Sequence, residues 1–170
     1  MFAVLCTGPS MSQAVVDSVR GMRVIAVNNA YEMAPWAEAL AANDMAWWKH
    51  NPKARVFAGR KFTTNVLPGV ERVISSGVLT ESCSGVLGLE VAKIIGAMPG
   101  DPIYLFGVDF HGSHYFGEYT NGLKNTTDAR RKIHARQFEN WAKANPRYTV
   151  FNATPGSALR AFPMARLEDL

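Results

Sequence analysis

Ile103-Tyr-Leu-Phe-Gly-Val-Asp-Phe-His-Gly-Ser-His-Tyr-Phe116 is the stretch on which the fold turns. Its first four residues, Ile103 to Phe106, are apolar, β-branched or aromatic, the composition of a strand buried on both faces of a parallel sheet. Gly107 lets the backbone turn closely. Within the next residues come a carboxylate, two imidazoles and a phenol: Asp109, His111, His114 and Tyr115. In open α/β sheets, ligands bind in the crevice beyond the carboxyl ends of the strands. A polar cluster leaving a buried strand end therefore marks a candidate site. The alternative is a glycine-rich surface loop with incidental histidines.

Working outward, the elements alternate. Downstream, Asp128 is expected to cap a helix reaching about Asn145, with Ile133, Phe138 and Trp141 inward, and Tyr148 to Phe151 reads as the last strand. Upstream, Ser82-Cys-Ser-Gly85 opens a helix over Val86 to Ala97, whose Leu87, Val91, Ile94 and Ile95 form an apolar stripe. Gly96 and Pro99-Gly100 end it. Between Asn51 and Thr80 the pattern is least regular, with short strands expected near Arg55 to Phe57 and Val70 to Ile74.

At the start, Phe2 to Cys6 reads as a strand and Met11 to Val19 as a helix, with Ser10 and Gln13 resembling a capping box. The Thr7-Gly-Pro-Ser10 turn between them is either an anion site at a helix N-terminus or simply a turn with a cap. It lacks the glycine spacing of a dinucleotide fingerprint and the lysine of a P-loop. Arg23 to Val27 reads as strand two, ending in Asn28-Asn29; these amides can read a base or ribose edge, or serve the turn. A short helix from Tyr31 passes into a third strand near Leu40 to Asn43. Beyond it, Asp44 and Trp47-Trp48 either wall a pocket for a planar ring or pack a core. The whole, residues 1–170, is expected to be one domain: a Rossmann-like, doubly wound α/β fold with a mainly parallel sheet.

Composition sets the outer bounds. The chain has 170 residues, 48% of them hydrophobic, which suits a folded domain rather than a disordered one. No apolar run approaches the roughly 20 residues of a membrane span, and Met1 to Cys6 lacks the basic region of a signal peptide. The 2 cysteines, Cys6 and Cys83, form no metal-ligand spacing or disulfide framework, which suits a cytoplasmic location. The net charge of +4 gathers late, at Lys124, Arg130, Arg131, Lys132 and Arg136 among others, and suits an anionic ligand. Aromatics do not alternate with these basic residues as a nucleic-acid stacking platform requires, so nucleic acid is not the expected partner. A nucleotide-type small molecule is, with further copies of the chain the one macromolecular partner left open.

Four segments in order, Thr7-Gly-Pro-Ser10, Val27-Asn-Asn29, Ser82-Cys-Ser-Gly-Val86 and Tyr104-Leu-Phe-Gly-Val-Asp-Phe110, resemble the small bacterial sialyltransferases with a single Rossmann-like domain. They also resemble the related proteins of unknown function that share the Gly-Pro-Ser opening, phage-encoded ones among them. The resemblance implies that Gly8, Pro9, Ser10 and Asn28 hold a cytidine nucleotide, and that Ser84 and Gly85 lie near its ribose and phosphate. It implies aromatic hydroxyls that assist the departing phosphate; here His111 stands at the first such position, while Tyr115 keeps a phenol. It places a general base after a His-Tyr-x-Gly segment, matched by His114-Tyr-Phe-Gly117, where this chain has Glu118 or Tyr119 in place of histidine.

The expected function is binding of a nucleotide or nucleotide-sugar, glycosyltransferase-like, with His114 or Glu118 as base and His111, Tyr115 or a late basic residue on the phosphate. Asn29, Asp44, Gly107 and Asp109 complete the expected binding set, Asp109 by bonding loop amides. With no Asp-x-Asp pair, transfer would need neither a divalent metal nor a cofactor. The alternative is a non-catalytic protein that sequesters a nucleotide-derived signal in the same pocket.

Overall fold

The computed structural model describes residues 1–74 and 83–169, and among them the chain forms one seven-stranded, all-parallel sheet. The strands are β1 (Phe2–Leu5), β2 (Arg23–Val27), β3 (Ala39–Ala41), β4 (Arg60–Thr63), β5 (Glu71–Arg72), β6 (Pro102–Phe106) and β7 (Thr149–Asn152), in the order β5-β4-β3-β2-β1-β6-β7. The helices are α1 (Gln13–Ser18), α2 (Ala30–Met33), α3 (Met45–His50), α4 (Ser84–Ile94) and α5 (Asp128–Ala144).

Side chains of a strand alternate between faces, and each central strand here is apolar on both. Phe2 and Val4 join Ile25, Val27, Ile103 and Leu105 in one core, covered by Leu87 and Val91 of α4 and by Phe138 and Trp141 of α5. Ala3 and Leu5 join Val24, Ala26 and Leu40 in the other, covered by Val16, Tyr31, Trp47 and Trp48 of α1, α2 and α3. Helices on both faces of a parallel sheet make the doubly wound α/β fold that the alternation predicts. The chain runs outward from β1 to β5, then returns through α4 to start again at β6 on the other flank of β1. That reversal opens a crevice between β1 and β6 at their carboxyl ends, where such sheets bind ligands.

Several local expectations are corrected. Helix α1 starts at Gln13 with Ser12 as its cap, because Ser10 is engaged elsewhere. The strand expected near Arg55 to Phe57 is a 3-10 turn, Pro52–Val56; the proline fixes its own φ at the first turn and has no N–H to lose there. Strand β4 is hidden in the sequence by charged Arg60 and Lys61, since only its Phe62 and Thr63 are fully buried. Arg60 instead reaches Glu71 of edge strand β5, 2.7 Å away. The stretch after Asp44 is helix α3. Thr127 rather than Asp128 caps α5, and Ile133 is only partly buried, whereas Phe138 and Trp141 are fully so. Ile94 is exposed, so the stripe of α4 rests on Leu87, Val91 and Ile95. Gly77 and Ser82 lie outside the described residues. Among the described residues no helix is long and apolar enough to cross a membrane.

Candidate functional site

A cavity of about 740 Å³ opens at the carboxyl ends of β1, β2 and β6. Its walls come from Cys6 to Gly8 after β1, Val27 and Asn28 at the end of β2, Asp44 and Trp47 at α3, and Cys83 to Gly85 at the start of α4. The loop after β6 supplies Gly107 to His114, Glu118 and Tyr119, and the far wall is Leu123 to Thr127 with Arg130, Arg131, His134 and Phe138. Of the residues singled out in the sequence, Gly8, Asn28, Asp44, Ser84, Gly85, Gly107, Asp109, His111, His114 and Glu118 line it. Pro9, Ser10, Asn29 and Tyr115 do not.

The reason for Ser10 is specific. Its backbone N–H and its hydroxyl donate to the two carboxylate oxygens of Asp109, at 3.1 and 2.9 Å. The amide and hydroxyl that a helix-terminal anion site would offer are thus taken by the protein's own carboxylate, which is only 3% exposed. Both groups of Ser10 are therefore satisfied within the protein. Glycine is required beside it: a Cβ on Gly8 would lie 1.9 Å from Asp109 Oδ2. Asp109 is anchored in turn by the loop after β7. The Val108 N–H donates to Thr154 Oγ1, Ser157 Oγ donates to the Val108 carbonyl, and the Ala158 N–H donates to the Asp109 carbonyl.

The two asparagines after β2 separate in role. Asn28 adopts the left-handed conformation, φ 48°, which asparagine tolerates better than most residues. It lines the cavity, and its buried Oδ1 has no hydrogen-bond partner among the described residues. Asn29 is a structural hub. Trp47 Nε1 and the Tyr119 hydroxyl both donate to its Oδ1, at 2.7 and 3.0 Å, and the Tyr115 hydroxyl donates to its carbonyl at 2.9 Å. Burial pushes the Tyr115 phenol up to about 12, with Glu32 and Tyr31 adding, and burial also raises Tyr119. Both phenols therefore remain donors at neutral pH, fastening the β6–α5 loop to the end of β2. The Tyr115 phenol, expected at a departing phosphate, is bonded to Asn29 and does not line the cavity.

His114 sits in the same loop. Its Nδ1 is 2.9 Å from Thr7 Oγ1, its ring stacks on Phe116, and Tyr119 meets it edge-on. Burial holds its pKa below the ordinary histidine value, the Thr7 backbone opposes this, and the positive charge of Arg131 adds to the lowering. The imidazole is therefore neutral at pH 7 and able to accept a proton. Glu118 and His111 are exposed on the cavity wall.

Asp44 caps α3 through Oδ1, which accepts from the Ala46 N–H at 2.8 Å. Ser84 Oγ accepts from the Asn43 N–H at 3.1 Å and so ties α4 to the end of β3. A Cβ on Gly85 would lie 2.8 Å from Phe138 Cζ, so glycine allows the close approach of α5. Burial pushes the thiol of Cys83 up to about 11 and raises that of Cys6 further, leaving both as protonated, small apolar groups in the wall.

The basic wall was legible only as an uneven charge distribution. Folding brings Lys124, Arg130 and Arg131 to the cavity beside the first turn of α5. Arg131 pairs with Asp128 and donates to the Gly112 carbonyl, which fixes its guanidinium against the histidine loop. Among the described residues no group of three or more His, Cys, Asp or Glu side chains is placed to hold a metal ion. In comparisons with family models, curated proteins and solved structures, nothing matches this chain.

Proposed function

We propose that the chain binds a nucleotide or nucleotide-sugar in this cavity, as its resemblance to the single-domain sialyltransferases and their phage-encoded relatives implies. The observation that carries the reading is Asn28. A buried carbonyl oxygen without a partner costs about 1–3 kcal/mol, and a ligand N–H or hydroxyl removes that cost. The left-handed backbone at the same residue is strain of the kind that collects at ligand sites. Trp47 and Tyr119 contribute aromatic lining together with Asn28, and Lys124, Arg130 and Arg131 bring positive charge to the wall at α5. A ligand with a planar, uncharged end and an anionic end fits that division.

Two outcomes remain for such a ligand. Transfer of its sugar to an acceptor hydroxyl, without a divalent metal, calls for a base, which His114 or Glu118 would supply. Sequestration of an intact nucleotide-derived ligand calls for none. It is favoured by one observation: the Tyr115 hydroxyl is spent on Asn29 rather than directed at a leaving group. The test is calorimetric titration with a panel of nucleoside monophosphates and nucleotide-sugars, followed by mass spectrometry of the recovered ligand. Binding by the parent, weakened in Asn28→Gly, supports the site. No binding across the panel would remove the reading, and recovery of a cleaved ligand would decide for transfer.

A further inference from the structure

Residues 107–127, between β6 and α5, form no regular element, and a loop of that length in a compact domain is usually functional. Its two halves are held very differently. The first is bonded on several sides: Gly107 and Asp109 to the turn after β1, Val108 to Thr154 and Ser157 after β7, and Gly112 to Arg131 of α5. Further along it, His114 contacts the Thr7 hydroxyl and Tyr115 bonds both Thr7 and Asn29. The second half is residues 118–126. Among the described residues, a single hydrogen bond ties it to the rest of the protein, from the Tyr119 hydroxyl to Asn29 Oδ1 at 3.0 Å.

The second half is also closed on itself. The Tyr119 N–H donates to Asn125 Oδ1 at 2.8 Å, and Asn125 Nδ2 donates back to the Tyr119 carbonyl at 3.3 Å, so residues 119–125 form one compact piece. Leu123, 8% exposed, packs into the core that holds Trp47. A Cβ on Gly122 would meet only His50 Nε2, at 4.0 Å, which places the tip beside the end of α3. At the near end, Gly117 has φ 86° and open space around it; at the far end, Thr127 caps α5. Glu118, Tyr119 and Leu123 to Thr126 line the cavity. Release of Tyr119 strands no acceptor, because Trp47 Nε1 still donates to Asn29 Oδ1 at 2.7 Å and the freed phenol turns to water.

We infer that residues 118–126 are a flap over the cavity, hinged at Gly117 and at the Thr127 cap and latched by Tyr119 on Asn29, and that ligand enters and leaves as the latch opens. Lids are drawn from segments with few anchoring contacts, and their hinges are a few loop or element-terminal residues. Asn28 Oδ1 gives the motion a purpose: it is buried, so a ligand group reaches it only after the surrounding wall has moved. The identity of the ligand rests on the nucleotide reading; the opening of the flap does not.

The experiment is NMR relaxation dispersion on the ligand-free full chain. The parent is compared with Tyr119→Phe, which removes the hydroxyl and keeps the ring, and with Gly117→Ala, which strains the left-handed hinge of the closed form. In the parent, amides of residues 118–126 should exchange on the μs–ms scale at one common rate, while residues 107–116 and β1, β2 and β6 stay quiet. Tyr119→Phe should raise the open population about two- to tenfold, the equivalent of one hydrogen bond, and Gly117→Ala should raise it as well. A flat profile over 118–126, exchange spread evenly through 107–127, or a folded Tyr119→Phe with the parent's open population would each overturn the flap. Cytidine monophosphate is then added as a probe. Once bound, it should suppress the exchange in 118–126, and Tyr119→Phe should speed both its association and its release. Binding that leaves the flap exchange and both rates unchanged would refute the gating role. No binding would count against the nucleotide reading, whereas Tyr119-dependent opening would still uphold the flap.

Discussion

Asp109 and Ser10, 99 residues apart in the chain, close on each other through two hydrogen bonds, at 3.1 Å to the serine N–H and 2.9 Å to its hydroxyl. The pair stitches the turn after β1 to the loop after β6, across the point where the sheet reverses direction. Gly8 is the residue that lets it form, since an added Cβ would fall 1.9 Å from Asp109 Oδ2 and 2.6 Å from the Gly107 carbonyl oxygen. Gly8→Ala should therefore destabilise the fold by about 1–3 kcal/mol, the range for forced overpacking. Urea denaturation measures this directly, and an unchanged midpoint would mean that the carboxylate moves aside freely.

How much of this was legible in the sequence differs from residue to residue. The β6 run and Gly107 announced a buried strand followed by a close turn, because a strand buried on both faces has no polar position to disguise it. The Thr7-Gly-Pro-Ser10 turn was equally visible, but the reason for its glycine was not. A turn motif shows that space is tight and does not show that the occupant is a carboxylate from the loop after β6. Asn28 and Asn29 look alike in the sequence; only folding reveals that one faces the cavity and the other receives Trp47, Tyr115 and Tyr119. Strand β4 escaped for the opposite reason, since Arg60 and Lys61 carry the charge of an edge region into a strand only half buried.

Asn29→Ala should loosen the loop between β6 and α5. The substitution removes the Oδ1 that accepts from Trp47 and Tyr119, leaving an indole and a phenol donor to find new partners. At roughly 0.5–1.5 kcal/mol per lost hydrogen bond, the expected cost is about 1–3 kcal/mol. Hydrogen exchange should quicken in residues 111–127 more than in β1, β2 or β6. Uniformly faster exchange across the sheet would show that Asn29 supports the whole fold rather than this loop.

Asn28 separates binding from stability. Asn28→Gly deletes the amide but accommodates φ 48° without strain. Its stability should match or slightly exceed that of the parent, while affinity for a bound nucleotide falls about two- to tenfold, the equivalent of one hydrogen bond. Asn28→Ala should lose the same affinity and also about 1 kcal/mol of stability, because a Cβ is disfavoured in the left-handed region. If affinity survives in the glycine variant, the unpartnered Oδ1 is not a ligand contact.

The last expectation concerns acid. Burial lowers the His114 pKa from its ordinary 6.5, so between the lowered value and 6.5 the unfolded chain binds a proton at this site more readily than the folded one. Stability rises with pH wherever the unfolded state binds more protons. The sign is therefore fixed: His114 costs nothing above about pH 6.5. It subtracts stability progressively as pH falls below that value, until the folded state is protonated as well. His114→Gln, which cannot titrate, should lose less stability than the parent when urea midpoints are compared at pH 7.5 and pH 5. Parallel curves for the two proteins would show that the loop opens far enough for the ring to titrate as if in water.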